Sequence, residues 1–426
     1  MGGSGSRMKI LIYGLNTWPE PVGIGRYTGE LVAWLAERGH EVRAIAAPPY
    51  FPNWRVGLGG EVGAPQYRNR YRREHIGGVR VQRCPLWVPA RPNGLTRLLH
   101  LSSFALTSLP PLLAQRRWRP DVVFTVAPAF FCAPGALLLR RLCGRRSRAW
   151  LHIQDFELDA AFELGMLKGP ALRRLAETGE RRTLRGFDAV STISAAMVQK
   201  LAEKGVAGER TRLVPNWVDL TAIRPQGPQE RFANPYRREL GLSDRQTLLL
   251  YSGSMNKKQG VQVLAEVIRR LRHRRDLVWL LAGEGATRPE LEAATADLPQ
   301  VRWMPLQPSE RLNDWLNAAD IHLLPQKEKV ADLVLPSKLM GILASGRPVV
   351  ASSPPGSELA LLAADGGLCV PPEDVAAFTA AVERLADDPA LRAAAGLRAR
   401  RLAERHFGRE AVLAGLEREL EKLQAC

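Results

Sequence analysis

The chain has no pair of cysteines at metal-ligating or redox spacing. Its five, Cys84, Cys132, Cys143, Cys369 and Cys426, stand far apart, and its seven histidines are scattered. That argues against a structural metal or a disulfide framework and fits a reducing cytoplasm. No apolar run reaches the ~20 residues that a spanning helix needs. Met1–Arg7 (MGGSGSR) reads as a cloning scar and Met8 as the natural start, because Lys9–Gly14 runs straight into a strand pattern and not a signal peptide. There is no D-x-D triplet, so no divalent ion is expected on a phosphorylated substrate. No carboxylate pair offers itself as nucleophile plus acid, which separates the chain from the glycoside hydrolases.

Acidic residues are short in the amino half. Residues 1–220 carry 32 Lys and Arg against 17 Asp and Glu, the remainder 28 against 26, within a formal net charge of +17. A basic half implies an anionic partner, nucleic acid or a membrane surface. Aromatic residues interleaved with the basic ones are sparse, which disfavours a single-strand binder. An anionic membrane or a phosphate-bearing lipid is the expected partner, and no nucleic acid. The plainer alternative is a solvated arginine-rich surface.

What is present is a repeated alternation of buried strands and amphipathic helices. Lys9–Tyr13, Glu41–Ala46, Asp121–Val126, Ala149–Ile153, Asp188–Ile193, Thr247–Tyr251, Leu277–Leu281 and Ile321–Leu324 read as buried parallel strands. The first is followed by a loop, Gly14–Gly25, and a helix over Tyr27–Glu37. Gly23, Gly25 and Gly29 read G-x-G-x-x-x-G, but Gly23 stands nine positions after Gly14, so the dinucleotide fingerprint fails. The loop can still approach a phosphate or sugar, or be merely flexible. Pro48–Arg73, with Arg68, Arg70, Arg72 and Arg73, reads as a long surface excursion. Leu95–Leu113 reads as an amphipathic helix broken at Pro110-Pro111, either lying in a membrane interface or packing on the sheet. Asp155 follows a strand's carboxyl end, where open α/β sheets place ligands. His152 either orients it or is a satisfied core histidine. Ser194 reads as the cap of a helix, Arg224–Pro235 as the interdomain linker, and Ala376–Leu385, Ala390–Arg405 and Ala411–Leu423 as helices. Two doubly wound α/β domains with a crevice between them follow.

The stretch Val330–Ala351 (VADLVLPSKLMGILASGRPVVA) organises the second half. Ser337 reads as an N-cap, Leu339, Met340, Ile342 and Leu343 as an apolar helix face, Gly346 as the stop, and Val349-Val350-Ala351 as the next strand. A helix amino end beside Lys338 suits a phosphate, and the same residues equally suit an ordinary helix–strand unit.

In order, the Gly-rich first loop, Pro215-Asn216-Trp217-Val218-Asp219, the Lys258-Gln259-Gly260 turn, Gly283-Glu284-Gly285, Pro336-Ser337-Lys338 and Ala344-Ser345-Gly346-Arg347-Pro348-Val349-Val350 resemble glycosyltransferase family 4. The wording His152-Ile153-Gln154-Asp155-Phe156-Glu157 is most similar to its colanic-acid and exopolysaccharide branch. The resemblance implies a GT-B fold of two Rossmann-like domains facing across a cleft. The acceptor domain would span residues 8–222, joined by a last helix over 408–426, and the donor domain residues 236–407. It implies a retaining transferase that moves a hexose or deoxyhexose, such as fucose, from a GDP- or UDP-sugar to a polyprenyl-diphosphate-linked or other glycan acceptor. The nucleotide sugar is substrate and no cofactor is expected. The enzyme would work in the cytoplasm, on the inner face of the plasma membrane. Donor-binding positions would be Gly23, Gly25, Asn216, Gly253, Lys258, Gly283, Glu284, Ser337 and Lys338, with Asp155 and Lys258 in catalysis. Two departures stand out. The family's two glutamates, eight positions apart, fall near Leu333, beside Asp332, and on Gly341, and the arginine usual before the Lys-Gln-Gly turn falls near Ser254. Lys258, Lys338 and backbone donors are left to carry the phosphate charge. A sugar-nucleotide epimerase or phosphorylase of the same shape, and a non-catalytic sugar-nucleotide-binding protein on the membrane, are the alternatives.

Overall fold

A computed structural model describes residues 7–20, 23–51, 54–57, 67–90, 94–127, 130–156, 158–159, 162, 169–256, 259–328 and 335–425. It divides into two compact units, Met1–Val214 with Leu413–Cys426, and Pro215–Val412.

The first unit is built on an eight-stranded sheet. Its strands are β1 (Lys9–Gly14), β2 (Glu41–Ala46), β3 (Arg72–Ile76), β4 (Val79–Arg83), β5 (Val122–Ala127), β6 (Arg148–Ile153), β7 (Ala189–Thr192) and β8 (Thr211–Leu213). The spatial order is β3-β4-β2-β1-β5-β6-β7-β8, parallel except for the β3–β4 pair. The central strands are apolar on both faces because helices cover both, and every residue of β5 is buried. The β3–β4 hairpin corrects the expected loop: Arg72 and Arg73 sit on an edge strand. Gly77 and Gly78, at φ 55° and 79°, form the tight turn that only paired positive φ values allow.

The helix Gly94–Ala114 runs unbroken through Pro110 and Pro111, against the expected break. A proline at 111 cannot donate to the Thr107 carbonyl one turn back. The Tyr71 hydroxyl donates to that carbonyl instead, at 2.8 Å. Leu101, Phe104 and Leu112 are buried in the core of the first unit, so this face packs on the sheet.

The second unit holds a six-stranded parallel sheet. Its strands are β9 (Thr247–Ser252), β10 (Leu277–Ala282), β11 (Val301–Met304), β12 (Ile321–Leu324), β13 (Val349–Ser352) and β14 (Gly367–Val370), in the order β11-β10-β9-β12-β13-β14. The expected linker is part of this unit, and so is Asp219, which the sequence reading put in the first domain. Pro228–Ala233 is a short helix, and Gln226 N–H donates to Asn317 Oδ1 at 2.9 Å. Asp219 pairs with Arg409 at 3.2 Å.

A buried ionic cluster ties the linker to the amino end of β12. Asp320 accepts from Arg231 at 2.7 and 3.0 Å, from Arg237 at 3.0 Å and from the Leu248 N–H at 2.8 Å. Burial alone would raise the Asp320 carboxyl. The hydrogen bond from Arg231 and the charges of both arginines outweigh burial and hold it below the usual carboxylate range. Asp320→Ala therefore strands two cationic groups, and removing one partner of a buried pair costs about 3–5 kcal/mol. Urea titration at neutral pH should show that loss as a lower midpoint. The wild-type contribution is fully present above the unfolded carboxylate value of about 3.9, and it disappears as pH falls through the lower folded value.

Candidate functional site

In the second sheet the strand order reverses between β9 and β12, which places the crevice of an open α/β sheet at their carboxyl ends. β9 ends in Tyr251 and Ser252 and turns at Gly253, whose φ of 139° suits glycine. The turn after β10 lies directly against it. The Gly253 N–H donates to the Ala282 carbonyl at 2.9 Å and the Met255 N–H to the Glu284 carbonyl at 2.8 Å. A side chain on Gly283 would strike the Gly253 carbonyl, and one on Gly285 would strike Met255. These two glycines are thus required by backbone packing between the two turns, whatever they bind.

Lys338 reaches this turn from the helix Lys338–Ala344. Leu339, Met340, Ile342 and Leu343 bury that helix against β13, so its first residue is held rigidly. The Lys338 stem is partly exposed, but its ammonium nitrogen is sealed from solvent and has no hydrogen-bond partner among the described residues. It lies 4.0 Å from the centre of the Tyr251 ring and 3.3 Å from where a Cβ on Gly253 would be. Aromatic attraction offsets only part of the cost of burying a charge. Burial pulls the amine down to about 7. An anion in front of Gly253 would complete the group.

The remaining donor positions are placed less simply. Ser337 is not the expected cap. It has helical φ and ψ of −58° and −26°, makes no side-chain capping bond, and is exposed. The cause is the turn before it, where the Leu339 N–H already donates to the Pro336 carbonyl at 2.9 Å. Gly346 does stop the helix, at φ 66°. Glu284 is largely exposed and paired with Arg288. Asn216 is buried, with a side-chain oxygen that has no partner among the described residues. A side chain on Gly341 would point at Leu316, 3.3 Å away. That environment is unfavourable to the family's glutamate. Lys258, Asp332 and Leu333 lie outside the described residues. The structure thus brings Gly253, Gly283 and Lys338 together around Tyr251, a residue the sequence reading did not single out.

In the first unit, Asp155 follows the carboxyl end of β6 and is partly buried. His152 is a core histidine. Its Nδ1 meets Ser191 Oγ at 2.8 Å and its Nε2 meets Gln154 Nε2 at 3.1 Å. An amide nitrogen can only donate, so Nε2 accepts and the proton sits on Nδ1. Burial pushes this imidazole down to about 4, so it is neutral at physiological pH. The segment after Asp155 is anchored by cations: Lys200 and Lys204 sit 5.5 and 5.3 Å from the Phe156 ring, and Lys204 pairs with Glu180 at 2.5 Å.

The Gly-rich loop is organised by Glu20, another residue not anticipated. Its buried carboxylate accepts from Asn16 Nδ2 at 2.8 Å and from the Tyr50 and Phe51 N–H groups at 3.1 and 3.2 Å. Burial raises this carboxyl, and those three bonds partly offset it. Any side chain on Gly25 would run into Glu20, so Gly25 is accounted for by this packing. Gly23 opens the helix Gly23–Glu37 at φ 61° and is exposed, so the expected helix start at Tyr27 comes four residues early.

Comparison with known proteins matches residues 22–217 to the glycosyl transferase 4-like domain and residues 246–388 to glycosyl transferases group 1. WcaI of Escherichia coli strain K12, provisionally assigned as a colanic acid biosynthesis glycosyl transferase, is 44% identical over 385 residues, 88% of this chain and 92% of that one. Among solved structures, sucrose-phosphate synthase from Thermosynechococcus elongatus superposes with a TM-score of 0.74 at 18% identity, covering 98% of this chain and 100% of the other. Anabaena Alr3699/HepE in complex with UDP and glucose gives 0.67 at 13% identity, with 97% and 100% covered.

An amine held at about 7 has a testable consequence for anion binding. Below that pH it is already cationic. Above it, the empty protein holds a neutral amine that must recapture a proton when a phosphate binds. UDP and GDP affinity by calorimetry should therefore weaken as pH rises above about 7, approaching tenfold per unit, in a range where the phosphate itself is fully ionised. Lys338→Met should abolish the slope. A flat profile in the wild type would contradict the assignment.

Proposed function

Because this chain belongs to glycosyltransferase family 4 and has its GT-B fold of two parallel-sheet α/β units, we propose that it moves a hexose or deoxyhexose from a nucleoside-diphosphate sugar to a lipid-linked oligosaccharide. The product would be an exopolysaccharide of the colanic-acid type, made at the inner face of the plasma membrane. Identity to WcaI supports the pathway class, and UDP in HepE supports a nucleoside diphosphate as the donor's leaving group.

The observation that carries this reading is the sealed ammonium of Lys338, without a hydrogen-bond partner among the described residues, at the strand-order reversal of the second sheet. Glycosyl transfer breaks the bond between the anomeric carbon and a phosphate oxygen, and negative charge grows on the diphosphate. A preorganised cation in a site without water is worth most at that moment. Lys338 would supply it, together with Lys258 as the sequence motif suggests, and a divalent ion would not be needed. With retention, the acceptor oxygen attacks from the face the phosphate leaves, and its proton passes to the departing phosphate oxygen. Gly253 leaves open backbone beside the ammonium. Asp155 would position the donor sugar or the acceptor hydroxyl. The epimerase and non-catalytic alternatives have no specific support in this site.

Incubating the protein with GDP- or UDP-sugars and a polyprenyl-diphosphate-linked acceptor should release nucleoside diphosphate only when acceptor is present, and equally well with a chelator. Lys338→Met should lower kcat/KM by roughly a hundredfold, about the 3 kcal/mol typical of one lost charge-stabilising donor. Asp155→Ala should lower kcat by about a hundredfold through lost positioning. Activity that needs manganese, or an Asp155→Ala variant with undiminished turnover, would contradict the mechanism.

A further inference from the structure

Residues 75–154 contain twelve arginines, no lysine and one acidic residue, Asp121. The basic excess of the amino half is therefore concentrated in one part of the sequence of the first unit. Two helices of that stretch, Gly94–Ala114 and Ala133–Cys143, and a third beyond it, Pro170–Leu184, follow β4, β5 and β6 and lead to β5, β6 and β7. Each crossover advances the same way across the sheet, so right-handed connections put all three on one face. Contacts agree. A Cβ on Gly135 would lie 3.1 Å from Leu112 Cδ2, and one on Gly186 would meet the Leu137 side chain.

The inward sides of these helices are fully used. Phe104, Leu112, Leu139 and Leu184 are completely buried. Their outward sides nevertheless carry large apolar groups. Leu106 on the first helix and Leu175 on the third are each 71% exposed, Leu138 and Leu142 are exposed on the second, and Trp87 flanks the first helix through its backbone N–H bond to Ser103 Oγ at 2.8 Å. Exposed arginines alternate with these leucines: Arg97 on the first helix, Arg141 on the second, and Arg174 and Arg181 on the third. The first two helices contain no acidic residue at all. The third carries Glu177, paired with Arg173 at 2.9 Å, and the buried Glu180, against four arginines. Scattered single leucines need no explanation, but leucines on three neighbouring helices, set among an excess of cations, do.

We infer that the outer layer of these three helices is a docking surface for an anionic lipid bilayer, with the leucines and Trp87 entering the interface and the arginines meeting lipid phosphates. Charge complementarity decides the occupant. A second copy meeting through the same patch would set arginines against arginines, since a two-fold contact uses the same patch on both subunits. A nucleic acid would match the arginines but leave the leucines with nothing to bury against. Only a surface that is anionic at its headgroups and apolar just beneath satisfies both sets. The inference deepens the proposed function, because a lipid-linked acceptor would be met at that surface, but its test does not pass through transfer activity.

The full-length protein is sedimented with vesicles of phosphatidylcholine alone and of phosphatidylcholine mixed with phosphatidylglycerol. Association should need phosphatidylglycerol and should fall at high salt, as screening dictates. The double substitution Leu106→Glu and Leu175→Glu touches no buried group. It should cut association by at least about tenfold, with the melting temperature and its increase on adding GDP or UDP unchanged. Arg174→Glu with Arg181→Glu should do the same through charge alone. Equal binding to neutral vesicles, no binding to either, unaltered association of the leucine variant, or preference for single-stranded RNA over the anionic vesicles would each overturn the inference. A protein that binds these vesicles yet transfers no sugar would sink the proposed reaction and leave this surface standing.

Discussion

A lysine amine cut off from water with no hydrogen-bond partner among the described residues is a costly arrangement, and the second unit is built to keep one. Lys338 is the first residue of a helix whose other early residues are locked into the core, so it cannot swing out to solvent without moving that helix. Tyr251 below it gives partial compensation, and Gly253 beside it removes the side chain that would otherwise fill the space. The two turns that frame the place, after β9 and after β10, are hydrogen-bonded to each other so closely that Gly283 and Gly285 tolerate no Cβ. The rigid frame and the uncompensated charge belong together. A flexible frame would let the amine find water, and a paired amine would have nothing left for a ligand.

The first unit shows the same division between scaffold and surface. Glu20 fixes the Gly-rich loop from below, His152 is a neutral packing group, and the lysines around Phe156 hold the segment that carries Asp155. None of these buried groups needs a ligand to be satisfied. The Asp320 cluster plays that role at the opposite end of the second sheet, where it makes the supposed linker part of the fold.

Much of the architecture was legible in the sequence because buried parallel strands are continuous apolar runs, and β1, β9, β10 and β12 fall where those runs lie. β3 was hidden because Arg-Arg-Glu-His-Ile is an edge strand with polar residues on both sides. The helix through Pro110-Pro111 was misread because its rescue, the Tyr71 hydroxyl, comes from a residue distant in sequence. Ser337 failed as a cap for a local reason, since the preceding turn already satisfies the amide it would have served. Lys338 was found through its motif, but that its nitrogen is sealed and has no partner among the described residues is a fact of packing that no spacing encodes. Tyr251 and Glu20 were missed for the same cause: each matters through what it touches across the fold.

The most direct measurement is a crystal structure of the protein with GDP or UDP bound. The account predicts a phosphate oxygen within about 3 Å of Lys338 Nζ, in the space Gly253 leaves open. Phosphates bound elsewhere, with the Lys338 ammonium still unpaired above the Tyr251 ring, would contradict it.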